Sequence, residues 1–532
     1  MYCNKENVNI LTDLLHRHGI RHVVVCPGSR NAPLVHNFNE HPDLICHAVT
    51  DERSAGFITL GLTIATGQPA AVCVTSGSAL LNVLPAAAEA TYQRQGILVI
   101  SADRPAAWVD QLDGQTMPQP GAMGPFAPKC VSLPEPQTDD ERWHCNRLAN
   151  EALLALNEES RPSVHINVPI TEPLFDFSVG QLPKQRAVRR ITFDEACQMM
   201  NRSERPMVVA GQMPYEKDLF RTLERCAVVL TEPLSTDEPT LTDVVINRLP
   251  TDMPECLPDL VLYIGGHTIS KTLRRFLRSL PETTTVVMVN PDGILQDVTQ
   301  HATCLLKAQP RDVIGRLKMS DPQPTPYMAF WAKHIEEMKA RIAAVQPCYS
   351  QALAVKKLEE RVAADDMVFY ANSSAVRLGA IYARHYCHCN RGLNGIEGSL
   401  STAAGAALAC PDRRVWCVIG DLSFFYDSNA FWPDTLGGNL RILLLNNQTG
   451  GIFHQLPGLD KSPARDPFVA ARHSLTAEHL CQHFGVLYLR ATDEDTLSEG
   501  LRQLCDTENN RPVLLEVMTD AATDAKACRL GQ

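Results

Sequence analysis

The segment PAAVCVTSGSALLNVLPAAAEATYQRQGILVIS, residues 69–101, reads as strand, helix, strand. Its two flanking runs are apolar without the polar alternation of a half-exposed strand, so both of their faces are covered. An Ala- and Leu-rich stretch of helical length joins them. Strands buried on both faces and connected by helices build a parallel sheet. The rhythm extends outward through RHVVVC (21–26) and LICHAVT (44–50), the latter followed by the helical stretch ERSAGFITLGLTIATG. Residues 1–180 are therefore expected to form one doubly wound α/β domain.

Further along, the Pro-punctuated stretch VPITEPLFDFSVGQLPKQRAVRR (168–190) closes this block as an interdomain connection does. A second series follows, with strands PMVVAG (206–211), CAVVL (226–230), DLVLYIGG (259–266) and TTVVMVN (284–290). After DPQPTPY (321–327) and a helix to about residue 345, a third contains MVFYAN (367–372), RRVWCVIGD (413–421), RILLLNN (441–447) and PVLLEVM (512–518). The expectation is three doubly wound α/β domains with mainly parallel sheets, at 1–180, 190–335 and 345–532.

The 532 residues, 45% hydrophobic and 20% charged, carry enough apolar side chain for several cores. A balance of 49 Lys+Arg against 60 Asp+Glu, net −11, with no basic run, excludes a nucleic-acid footprint. No stretch of 18 apolar residues occurs, so membrane insertion is not expected. The opening MYCNKENVNILTDLLHRHGI lacks an unbroken apolar core, and the reading is cytoplasmic. The 18 scattered cysteines read as reduced, mostly buried thiols. His385, Cys387, His388 and Cys389 cluster, but strand alternation splits them between two faces and no second ligand pair follows, which argues against zinc.

Ligands of open α/β sheets bind beyond the carboxyl ends of the strands. In the first domain those ends run into CPGSRNAP, TDERSAG, TSGSALLN and SADRPAA, which place Ser29, Arg30, Glu52, Ser76, Gly77 and Arg104 on one edge. Glu52, between an apolar strand and an apolar helix, is a candidate proton-holding group. The competing reading is a carboxylate that caps a helix start. In the third domain one strand ends in Gly420-Asp421 and the next in Asn446-Asn447, followed by QTGGIF. Adjacent parallel strands would deliver a carboxylate, an amide oxygen and a backbone carbonyl to one spot, hard oxygen ligands for magnesium holding a diphosphate. Gly420 allows close approach, and Gly450 and Gly451 free the loop to wrap phosphates.

Gly-Asp, about 25 residues, then Asn-Asn after a strand resembles the metal and diphosphate motif of thiamine-diphosphate (ThDP) enzymes. Those have a pyrimidine-binding, a central and a diphosphate-binding domain in this order. CPGSRNAPL, TDERSAGF, VTSGSALLN, SADRPAA, GQTMPQPG, HINVPITEPL, NSSAVR, NRGLNGIEGSLSTAAG, GDLSFFYDSNA and NNQTGGIFHQLPG together resemble the 2-succinyl-5-enolpyruvyl-6-hydroxy-3-cyclohexene-1-carboxylate (SEPHCHC) synthase family of menaquinone biosynthesis. In that family Leu is usual after Gly-Asp, as Leu422 is here.

The resemblance implies a transferase that decarboxylates 2-oxoglutarate and adds the succinyl-semialdehyde carbanion to isochorismate in a Stetter-like step. It implies that Glu52 hydrogen-bonds the aminopyrimidine of ThDP, and that Asp421, Asn447 and the carbonyl of Thr449 ligate Mg2+, or Mn2+ in its place. Ser76, Gly77, Ser373, Ile396, Gly420, Leu422, Ser423, Gly450, Gly451 and Ile452 complete the implied cofactor set, with Ile396 under the bent cofactor. Ser29, Arg30, Arg104, Gln115, Lys271, Arg377, Arg391, Phe453 and Leu456 are the implied substrate set; Arg377 and Arg391 also act in catalysis, as do Glu52 and Ser373 of the cofactor set. Two dianionic substrates and an acidic chain explain so many cations, because guanidinium pairs with carboxylate through two hydrogen bonds. A homodimer with shared active sites is implied, and pairing into tetramers is left open. Two rivals exist. Another ThDP-dependent 2-oxoacid decarboxylase or carboligase, of the acetolactate synthase type, would keep Glu52, Asp421 and Asn447 without needing the Arg set. A non-catalytic nucleotide-binding module would need phosphate loops in the central domain, yet AGQMPYE and IGGHTISK show neither G-x-G-x-x-G nor G-K-[ST].

Overall fold

The computed structural model describes residues 1–249, 253–317, 325–506 and 508–530. They form two compact units, Met1–Thr192 with Gly293–Lys307, and Phe193–Asp292 with Ala308–Gln532.

In the first unit, β1 (His22–Val25), β2 (Ile45–Ala48), β3 (Ala71–Val74), β4 (Leu98–Asp103), β5 (Lys129–Ser132) and β6 (Val164–Pro169) form a sheet of order β2-β1-β3-β4-β6-β5. Every pair is parallel. The apolar runs serve two cores at once. Val23, Val25 and Cys73 enter one core, while Val24, Cys26 and Val72 enter the other, as period-two alternation between two covered faces requires. The register puts Val25 opposite Ala48 and Cys73, so these strands end on one edge. The Pro-rich stretch after β6 is tied back to the chain start by a bridge between Tyr2 and Val179.

The middle series runs β7 (Arg189–Ile191), β8 (Pro206–Ala210), β9 (Val228–Thr231), β10 (Leu260–Ile264), β11 (Thr285–Asn290) and β12 (Cys304–Lys307). In the second unit β11-β10-β8-β9 lie side by side in parallel, and in the first β7 pairs with β12. Of DPQPTPY, residues 321–324 lie outside the described residues, and Thr325 caps the helix Pro326–Ala344 by accepting from Met328 N. The last series is β13 (Met367–Tyr370), β14 (Cys387–His388), β15 (Val415–Gly420), β16 (Leu440–Asn446), β17 (Leu487–Ala491) and β18 (Val513–Met518), in the order β14-β13-β15-β16-β18-β17.

Each of the twelve apolar runs is a strand within two residues of its expected ends. The six strands the reading lacked are short, lie at an edge, or carry polar residues. β5, β14 and β17 are sheet edges, and β6 hides His165 and Asn167, fully buried, inside VHINVP. Among the described residues 17 cysteines are free thiols, Cys348 exposed and Cys46, Cys130, Cys197 and Cys410 half-buried. Also among the described residues, no helix is long and apolar enough to cross a membrane.

Candidate active site

The first unit gathers its expected residues at the carboxyl edge of its sheet. Glu52 opens the helix Glu52–Thr66, but the cap is Asp51, whose side chain accepts from Ser54 N at 2.8 Å. That bond holds the Asp51 carboxyl below the usual range. Capping is thus done by the neighbour, and among the described residues Glu52 has one side-chain hydrogen-bond partner, Asn82 Nδ2 at 3.3 Å. Within the chain Glu52 is half-exposed rather than desolvated, which corrects the apolar setting expected for it. Gly77 has φ +83° and opens the helix Ser78–Tyr92, and a Cβ there would meet the Gln115 backbone at 3.3 Å. Its N–H donates to Gln119 Oε1 at 2.7 Å.

Behind this edge runs a buried polar chain. Gln119 Nε2 donates to Asn167 Oδ1 at 2.7 Å, Asn167 Nδ2 donates to Asp103 Oδ2 at 2.9 Å, and Arg104 N donates to Asp103 Oδ1 at 2.8 Å. Burial raises the Asp103 pKa, opposed chiefly by the Asn167 bond. Arg104 reaches Asp113 Oδ2 at 2.5 Å and Ser76 Oγ at 3.2 Å. Arg30, 7% exposed, donates to Ile170 O and Glu172 Oε1, each at 3.0 Å. Neither arginine is a solvated surface charge, while Ser29 and Gln115 are exposed.

In the second unit β15 and β16 are adjacent and parallel, with Gly420 opposite Leu445, so Asp421 and Asn447 emerge side by side. Asn447 N donates to Asp421 Oδ2 at 3.1 Å. Asn447 Nδ2 donates to Asp524 Oδ2 at 2.9 Å, which fixes the amide and leaves Oδ1 as its ligating end. Burial raises the Asp524 pKa, and bonds from Gln351 N and Asn447 oppose it. Asp421 and Thr449 are buried, and Gly450 N anchors the loop on Ala470 O at 2.7 Å. A Cβ on Gly451 would press on Asn447 Nδ2 at 2.7 Å, whereas one on Gly420 would meet nothing within 4 Å. Carboxylate, amide oxygen and carbonyl beside open space at Gly420 fit a hard divalent cation carrying phosphate oxygens. Asn446 is not a ligand candidate, because its Oδ1 accepts from Gln448 N at 2.9 Å while its Nδ2 donates to Leu475 O and Glu516 Oε1. Ser423 Oγ donates to the carbonyl of Ile396, whose side chain is 37% exposed. Leu422 is half-buried.

A cavity of about 580 Å3 in the same unit is lined by Lys271, Arg377, Ile452 and Leu456 together with Arg274, Arg275 and Arg278. Arg377, foremost, holds the Lys271 pKa down. Ser373, at φ +73° and ψ −126°, opens the helix Ser374–Tyr382 that carries Arg377. Arg391 donates to Asn372 Oδ1 and to Thr268 O, each at 3.0 Å, and burial lowers its pKa. Phe453 folds back on its own loop, its N–H donating to Gly450 O at 3.0 Å.

The expected residues thus fall into two groups. Ser29, Arg30, Glu52, Ser76, Gly77, Arg104 and Gln115 belong to the first unit and the remainder to the second. Four buried polar residues escaped the sequence reading: Gln119, Asn167, Asp524 and Glu232. Glu232 follows an apolar strand directly in CAVVLTE, the same signal that singled out Glu52 and Asp421. Gln119 and Asn167 lie inside the quoted GQTMPQPG and HINVPITEPL without being singled out, and nothing local marks Asp524.

Residues 6–123 match the thiamine pyrophosphate enzyme N-terminal TPP binding domain, and residues 372–517 match the thiamine pyrophosphate enzyme C-terminal TPP binding domain. Along its whole length the chain is similar to the 2-succinyl-5-enolpyruvyl-6-hydroxy-3-cyclohexene-1-carboxylate synthase of Bacteroides fragilis, 42% identical over 99% of this chain and 98% of that protein. The synthases of Phocaeicola vulgatus and Bacteroides thetaiotaomicron are each 40% identical over the same shares. The first matched region holds the Glu52 edge and the second the Asp421–Asn447 pair. The chain belongs to the SEPHCHC synthase family of thiamine pyrophosphate enzymes.

Proposed function

We propose that the chain catalyses decarboxylation of 2-oxoglutarate and addition of the resulting four-carbon unit to isochorismate, giving SEPHCHC and carbon dioxide in menaquinone biosynthesis. The observation that carries this reading is the Asp421–Asn447 pair, delivered by adjacent strand ends and locked by one hydrogen bond at 3.1 Å. Full-length identity of 40–42% to synthases of this name supports the choice of substrates.

Asp421, Asn447 Oδ1 and the Thr449 carbonyl hold Mg2+ or Mn2+ in this reading. Ser76, Gly77, Ser373, Gly420, Leu422, Ser423, Gly450, Gly451 and Ile452 shape the cofactor cradle, and the Ile396 side chain supports its middle. Bound thiamine diphosphate supplies a nucleophilic carbon and an electron sink. Glu52 would hold or release a proton at its carboxyl oxygen beside the bound cofactor, which a half-exposed carboxylate with one neutral side-chain partner among the described residues is free to do. Arg391, Arg377, Lys271, Arg30 and Arg104 take the four substrate carboxylates. Asp113 and Glu172 neutralise two of these cations until substrate displaces them. Ser29, Gln115 and Ser373 add neutral hydrogen bonds, and Phe453 and Leu456 an apolar wall.

The protein is further proposed to be a cytoplasmic homodimer of three-domain chains, divided at 1–180, 190–335 and 345–532, with active sites shared between protomers. Phe57, Ile58 and Ile64 lie exposed on the helix that Glu52 opens, and Leu408, Tyr426 and Trp432 lie exposed near Asp421 in sequence. Apolar side chains of this size beside a site are what a second copy covers. The test is loss of isochorismate absorbance with purified protein, ThDP and Mg2+, with and without 2-oxoglutarate. Loss that needs every component, with an adduct of the right mass, is the expected result. No loss despite ThDP binding would overturn the substrate assignment.

A further inference from the structure

One buried carboxylate in the second unit has no part in the reading above. Glu232, 4% exposed, follows β9 and faces the loop before the helix Lys271–Arg278. Its Oε2 accepts from Ile269 N at 2.5 Å and its Oε1 from Ser270 N at 2.7 Å. The residue before this pair is Thr268, whose carbonyl accepts from both Arg391 Nη2 and Arg274 Nη1 at 3.0 Å. The residue after it is Lys271. A two-residue clamp therefore sits between the backbone oxygen that locates Arg391 and the Cα that carries Lys271.

Burying a carboxylate is costly, and two N–H donors recover only part of the lost hydration. Burial pushes the Glu232 carboxyl up to about 7, and the Ile269 and Ser270 N–H groups, with Arg391 behind them, oppose that rise. The carboxyl faces Asp243, which accepts from Ser270 Oγ, and Tyr263 of β10. A neutral isostere would keep one acceptor and present an N–H to the other backbone N–H. The clamp would open on one side.

We propose that Glu232 is a positioning residue for the substrate-binding cations Lys271 and Arg391, setting the 268–271 loop without touching substrate. The proposal rests on the assignment of those two cations to substrate carboxylates. Its test is steady-state kinetics of the full-length protein with ThDP and Mg2+, varying 2-oxoglutarate and isochorismate in turn. Glu232→Gln should raise KM for at least one substrate about tenfold, with kcat within about twofold and the ThDP requirement unchanged. Adding Glu232→Gln to Arg391→Ala should raise KM by much less than it does alone, because the group it positions is gone. A loss confined to kcat, unchanged KM values, or full additivity with Arg391→Ala would each overturn the proposal. Should Glu232→Gln fail to fold, Glu232→Asp keeps the charge but shortens the reach, and the same KM rise and non-additivity are required of it. If Arg391→Ala and Lys271→Ala themselves leave both KM values unchanged, the substrate assignment falls and this proposal with it. If they raise KM and the Glu232 variants do not, only the positioning role is lost.

Discussion

The sheets that carry the two groups of candidate residues have the same strand order, β2-β1-β3-β4-β6-β5 and β14-β13-β15-β16-β18-β17. Both place a buried polar hub at the fourth residue of corresponding strands, Asn167 in β6 and Glu516 in β18. What stands on the carboxyl edges differs. The Asp421–Asn447 edge is prefabricated: its donors are buried, and Asp524 fixes the amide orientation. The Glu52 edge is open, its carboxylate half-exposed beside Asn82. A cation site needs its oxygens held before the ion arrives, whereas a proton-exchanging group needs room to meet what it protonates. Under the proposed roles, one edge is built to bind and the other to react.

Breaking the binding edge should have the largest effect. Asp421→Ala removes the only charged ligand candidate of the trio and frees Asn447 N, so Mg2+-dependent ThDP affinity should fall about a thousandfold, in line with losing a buried, hydrogen-bonded charge. Titration calorimetry with and without Mg2+ measures it. Undiminished affinity would put the metal elsewhere. Breaking the reacting edge should separate the two functions. Glu52→Gln should bind ThDP within a few-fold of the parent yet lose about 100-fold or more in kcat, the usual weight of a positioned acid–base group. If binding and turnover fell together, the division between the edges would be wrong.

The first sheet should also answer to acid. In β6, burial pushes the His165 imidazole down to about 4, where it bonds Ser101 Oγ at 2.7 Å. The folded pKa lies below the unfolded one, so stability from this group is complete above about pH 6.5 and is lost as pH falls toward 4. The full loss is roughly 3 kcal/mol. Denaturant unfolding at several pH values should show that slope, and His165→Gln should flatten it. An unchanged slope would mean that other groups set the acid limit.

How much of this was legible in the sequence follows from the same contrast. Apolar runs such as HVVV and RILLL mark strands because both faces of a parallel sheet are covered, and the residues after them mark the site because strand ends share an edge. VHINVP of β6 was not legible, since its buried His165 and Asn167 look like exposed positions until their partners Ser101 and Gln119 are known. Asp524 was hidden for a related reason. It reaches Asn447 from a helix 77 residues further on, a distance no local pattern encodes. Arg30 and Arg104 lie at the expected edge, but nothing in the quoted HINVPITEPL, which holds Glu172, or beside GQTMPQPG, which Asp113 precedes, marks those carboxylates as their partners.

The finest comparison is of two helix starts. Gly77 opens one helix at φ +83°, ψ −137°, and Ser373 opens another at φ +73°, ψ −126°. The first has the residue this backbone favours and the second does not. Gly77→Ala should therefore destabilise by about 1–3 kcal/mol, adding strain and pressing its Cβ on the Gln115 backbone. Ser373→Gly should do the reverse more weakly. Relief of strain is offset by the greater freedom of Gly in the unfolded chain, leaving a net gain of about 1 kcal/mol or less. Denaturation midpoints read both. A strained serine is retained where its hydroxyl is used, so Ser373→Gly should gain stability while losing turnover. Were turnover kept with the gain in stability, Ser373 would have no role that explains its backbone.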